Sequence, residues 1–125
     1  MLIVAYVLAG LAALIHVYIF RLESLAWTDP KTRAVFGTTA EDAEVTKPLA
    51  YNQGFYNLFL AVIVAIGIVA GVRDADSVSA ALIYAACGSM VAAALVLVTS
   101  DGRKLRAALI QGLAPALAIL ALVLA

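Results

Sequence analysis

Residues Leu49–Ala70 read LAYNQGFYNLFLAVIVAIGIVA, 22 positions of which the last thirteen, from Leu58 on, carry no polar side chain. A helix rises 1.5 Å per residue, so about 20 residues cross a ~30 Å hydrocarbon core. This run is long enough. Three others match it: Leu2–Phe20, Val78–Val98 and Leu105–Ala125, of 19, 21 and 21 residues. Transmembrane strands need only about 10 residues and strict alternation, and none of the four runs alternates. The expected fold is all-α: an integral membrane bundle of four helices within a single domain, residues 1–125.

Composition points the same way. The chain is 66% hydrophobic and 13% charged, with a mean hydropathy of +1.08. Soluble domains hold about 25% charged residues, so a soluble enzyme and a disordered chain are both excluded. Eight basic residues balance eight acidic ones, which leaves no cationic surplus for nucleic acid. One cysteine forms no intrachain disulfide, and one histidine builds no multi-histidine zinc site. The first run lacks a basic start and a small-residue cleavage motif, so it reads as a retained span rather than a signal peptide.

The connections are residues 21–48, 71–77 and 99–104. The short second and third force antiparallel neighbours, hence an up-down order. Arg21, Lys31, Arg33, Lys47, Arg103, Lys104 and Arg106 cluster with connections one and three, against Arg73 alone in connection two. That bias predicts a multi-pass protein of the inner (plasma) membrane, with connections one and three cytoplasmic and both termini outside. Connection one should carry interfacial helical structure. Thr28-Asp29-Pro30 suits a helix start and Gly37 a helix end. Thr38-Thr39-Ala40-Glu41 resembles a capping box for a second short helix, and Lys47-Pro48 then opens span two. Trp27 and Phe36 suit the headgroup level.

Polar residues within spans are few and therefore informative. Counted from the cytoplasmic ends, His16, Gln53, Asn57 and Gln111 lie roughly 7, 6, 12 and 9 Å deep, which suggests one shallow layer. Asn52, Gln53, Tyr56 and Asn57 fall within an arc of about 140° on a helical wheel. Facing lipid would leave their amides unpaired, so they are expected to face the bundle. Glu23 shares a helical face with His16 but stands about 10.5 Å along the axis, at the rim.

Histidine titrates near neutrality and binds metals and haem iron, so His16 could act as acid–base group or as axial haem ligand. The plainer alternative is a hydrogen bond to a neighbouring helix. Likewise Glu23 could shuttle protons or merely pair with Arg21. Asn52, Gln53, Tyr56, Asn57 and Gln111 could grip a ligand or simply tie helices together. Asp101-Gly102 suits a turn, Cys87 a packing position, and Pro115 a kink that frees a carbonyl.

The order of features resembles a small bacterial four-span membrane family catalogued as domain of unknown function thirteen-oh-four. His16-Val17-Tyr18-Ile19, Glu23, Trp27, Val35-Phe36-Gly37, Asn52-Gln53-Gly54-Phe55-Tyr56-Asn57 and Gln111 with Pro115 carry it. Such proteins often have Glu-Met-Phe where this chain has Glu23-Ser24-Leu25. The resemblance implies a four-span fold and transfers no activity.

The inventory suits a binder or enzyme for a lipophilic small molecule, in a pocket opening to the cytoplasmic leaflet beneath connection one. His16 and Glu23 would supply proton transfer for an isomerisation or hydration. The alternatives are an accessory membrane subunit and a small transporter, the latter disfavoured because no carboxyl lies mid-span. Membrane lipids are the expected surroundings. Small-residue patches at Ala9-Gly10 with Ala12-Ala13, and at Ala92-Ala93-Ala94, would suit a homo-oligomer.

Overall fold

A computed structural model describes all residues, Met1–Ala125. The chain is all-α, without strands. Helix α1 spans Leu2–Phe20 and continues into a wide, π-helical turn at Arg21–Leu25. Next come α2 at Pro30–Phe36, α3 at Ala40–Val72 and α4 at Asp76–Ser100. A 3₁₀ turn, Gly102–Lys104, leads into α5 at Leu105–Val123. Four of these helices are long and apolar enough to cross a membrane, and the chain is a multi-pass membrane protein.

The four stand at the corners of a square. α1 and α4 each pack against both α3 and α5, whereas α3 and α5 occupy opposite corners and barely meet. Lys104 Nζ donates to the Phe36 carbonyl at 2.7 Å, which ties connection three to the end of α2 at one end of the bundle. Seven of the eight basic residues gather at this loop end, leaving Arg73 at the other.

Burial is inverted relative to a soluble protein. Ala5, Ala9 and Ala12 of α1 and Ala114 and Ala118 of α5 line the inside, around Val64, Ile83, Cys87 and Met90. Leucines, valines and isoleucines such as Leu14, Val62, Val96 and Leu120 face outward. Lipid tails are as apolar as leucine, so helices associate through close packing of small residues instead. Cys87 is one of those packing residues.

Connection one folds as its turn residues dictate. Asp29 precedes Pro30 at the start of α2, and Gly37 ends the helix at φ +67°, a conformation that costs glycine nothing. Trp27 packs against Phe36 at a 54° tilt with ring centroids 5.0 Å apart and donates from Nε1 to Thr46 Oγ1 at 3.0 Å.

Beyond Gly37 the structure corrects the sequence reading. No separate short helix precedes span two: α3 is one helix of 33 residues, about 50 Å long. Its cap is Thr39 rather than Thr38, with Oγ1 accepting from the Asp42 N–H at 3.1 Å. Pro48 sits inside the helix and removes one donor, from the carbonyl of Glu44. Glu44 is exposed, so water replaces that donor and the helix runs on.

Proline costs an exposed helix interior about 3 kcal/mol relative to alanine. Pro48→Ala is therefore expected to raise stability by up to about that amount. Slower hydrogen exchange over residues 44–52 would register the change; faster exchange would mean that the proline suits the native helix.

Candidate functional site

Contacts between α1 and α3 set their antiparallel register. Gly10 lies beside Ile68, Ser24 against Gly54, and Glu23 against Asn57. Arg21 thus stands level with Asn57, and it is exposed. A guanidinium avoids hydrocarbon, so the apolar layer ends near this level. From Tyr56 to Val72, α3 has 17 residues, about 25 Å, which nearly fills that layer.

This register explains where the predicted residues go. Asn52, Gln53 and Tyr56 are exposed on the outer face of α3 and do not face the bundle. At headgroup level water satisfies the Asn52 and Gln53 amides and the Tyr56 hydroxyl, so the desolvation argument for turning them inward loses its force. The inward edge of α3 is given instead to Ala50, Gly54, Ala61 and Val64, which let α1 approach. Gln111 is half-buried on α5, at the corner opposite α3, and its side chain makes no hydrogen bond. The expected single polar layer is not formed.

Only Glu23 and Asn57 are brought together. The wide turn carries Leu22 and Glu23 to the inside, and Asn57 Nδ2 donates to Glu23 Oε1 at 2.5 Å. Glu23 is 8% exposed despite its place at the rim. π-helical turns occur mostly as isolated features and are frequent at functional sites. Beside it, Ser24 Oγ donates to the Tyr51 carbonyl at 2.7 Å, so the turn is tied to α3 through both residues.

His16 lies deeper, opposite about Val62–Val64, and is buried at 2% exposure. Its Nδ1 sits 2.8 Å from the Ala12 carbonyl, one turn back on its own helix. A carbonyl only accepts, so Nδ1 is the donor in this contact. The expected bond to a neighbouring helix is replaced by this local one.

As a haem ligand His16 fits poorly. It is enclosed among closely packed helices and lines neither of the two main cavities, so a tetrapyrrole would have to push helices apart. No group of three His, Cys, Asp or Glu side chains converges to hold a metal ion.

The main polar cavity lies elsewhere, between the wide turn, connection one and the projecting part of α3. It measures about 390 Å³ and is lined by Ser24, Trp27, Thr28, Lys47 and Tyr51, among others. Ligand pockets commonly span about 300–1,000 Å³. Sequence reasoning placed a pocket beneath connection one but chose different side chains to line it. Trp27 beside Lys47-Pro48, an aromatic ring and a cation at one membrane interface, was the available signal.

At the same end Asp101 and Arg103 form an exposed turn, with Arg103 Nε donating to Asp101 Oδ1 at 3.0 Å. That hydrogen bond holds the Asp101 carboxyl below the usual carboxylate range. The pair closes a loop and does not reach the cavity.

No curated protein and no solved structure matches the chain. A family model does, across residues 10–123, which include the wide turn, the cavity, the second half of α1 and all of α3, α4 and α5. The chain belongs to the family described as Protein of unknown function (DUF1304).

Proposed function

We propose that the protein binds a lipophilic small molecule in the recess at its loop end, taken as the cytoplasmic end. One observation carries this reading: a cavity of about 390 Å³ at headgroup level, with hydroxyls, an ammonium and aromatic rings on its walls. Apolar walls with a few placed polar groups are the usual makeup of a ligand site. Glu23 and His16 line neither main cavity. The geometry therefore favours binding over proton-transfer catalysis, with Glu23 and Asn57 holding the turn that forms one wall.

Native mass spectrometry of protein released from native-lipid nanodiscs tests this directly. A stoichiometric adduct that survives delipidation is expected. Thr28→Trp fills the recess from the connection without touching the helix seam, and should remove the adduct while circular dichroism stays unchanged. An adduct indifferent to that substitution, or none in either protein, would falsify the reading.

A further inference from the structure

A second cavity runs along the same helix pair. It is an apolar groove of about 740 Å³ between α1 and α3, with Gly10, Leu14 and Val17 on one wall and Leu58, Val62 and Ala65 on the other. The recess and this groove lie on one side of the seam. On α3, Lys47, Tyr51, Leu58, Val62 and Ala65 follow spacings of four, seven, four and three, which keeps them on a single helical stripe. Val17 of α1 lines the groove, and Ser24, on the wide turn that continues the same helix, lines the recess. Between the two cavities Phe20 meets Phe55 edge-on, with ring centroids 5.1 Å apart, so the intervening stretch is apolar as well.

We infer that recess and groove are the head and tail ends of one site for a single-chain amphiphile with an anionic headgroup. This rests on the recess being a ligand site, as proposed above. Tyr6 to Val17 spans about 16 Å along α1, close to the depth of one leaflet in a ~30 Å core. Gly10 deepens the groove because it presents no side chain there.

The headgroup preference follows from charge. Lys47 is the one charged residue lining the recess, and it makes no ion pair, since the only ion pair in the chain joins Arg103 to Asp101. Thr28, which carries a hydroxyl, lines the recess as well. Trp27 is held in place by its bond to Thr46 and so walls the recess without occupying it.

Trp27 is the only tryptophan in the chain and reports on the recess directly. Its fluorescence should be titrated in nanodiscs with lysophosphatidylglycerol and, separately, with lysophosphatidylcholine of the same chain length. The anionic amphiphile should bind about fivefold more tightly, the worth of one lysine near a charged headgroup. Lys47→Gln should abolish that preference, and Ala65→Phe, which fills the exposed groove, should weaken both amphiphiles alike. Equal affinities that ignore Lys47→Gln overturn the headgroup assignment. Affinities unmoved by Ala65→Phe overturn the tail assignment, and a drop in oligomer mass in that variant would give the groove to a second copy. If neither amphiphile moves Trp27 while the adduct persists, the amphiphile is wrong and the recess stands. If the adduct is missing too, both readings go.

Discussion

The Gly54→Ala protein is expected to unfold about 1–3 kcal/mol more easily than the parent, the usual cost of forcing a methyl group into a packed contact. A Cβ at position 54 would overlap the Ser24 side chain and come within 3.0 Å of the Ser24 backbone nitrogen. A side chain can swing away; a backbone cannot without moving the wide turn. On propensity alone the substitution should stabilise α3, since alanine is favoured over glycine in a helix by about 1 kcal/mol. The sign of the change therefore decides between the two effects. Gly88 on α4 supplies the control, because a Cβ there meets nothing within 4 Å. Gly88→Ala should raise the melting temperature in detergent, and Gly54→Ala should lower it. Trp27 emission should shift in the Gly54 variant alone, because Ser24 walls the recess. A gain at both positions would mean that the wide turn does not rest on α3.

Much of this architecture was legible in the chain because bilayer thickness acts on every span alike. The apolar runs mark α1, α4 and α5 closely, and Asp29-Pro30 with Gly37 bound α2 through local backbone chemistry. What escaped depends on relations between helices. Asn52, Gln53 and Tyr56 share one face in any helix, but whether that face turns inward depends on where the hydrocarbon ends. That level is set by Arg21 on another helix. Counting depth from the first apolar residue of a run takes no account of it. Pro48 likewise reads as a boundary, although one missing donor next to an exposed carbonyl does not stop a helix projecting into water. The separation of Gln111 from Asn57 is a fact of corner order, and local sequence carries no trace of it. Gly54 could have been suspected, since a glycine amid aromatic and amide residues invites close approach; naming Ser24 as its partner required the fold.

Removing the one donor that Glu23 has should be the other severe change. Asn57→Leu keeps the volume of the side chain and takes away the amide, leaving a nearly buried carboxyl group without its partner. An unsatisfied buried polar group costs about 1–3 kcal/mol, and more if it is charged. The Asn57→Leu protein should therefore lose at least about 2 kcal/mol in a denaturation measured in mild detergent. Replacing both partners is a different matter, because no orphan remains. Glu23→Leu combined with Asn57→Leu should recover most of the loss, as apolar substitutes for a buried polar pair often do. The double-mutant cycle isolates the interaction, since each residue has few other partners: Asn57 reaches only the Gln53 carbonyl besides. Glu23→Gln separates structure from use, because its amide oxygen still accepts from Asn57 and the turn keeps its anchor. If that variant folds like the parent and still retains the bound adduct, Glu23 serves as a strut for the recess wall. If it folds but releases the adduct, the carboxyl group itself takes part in holding the ligand, and the wide turn exists to deliver it there.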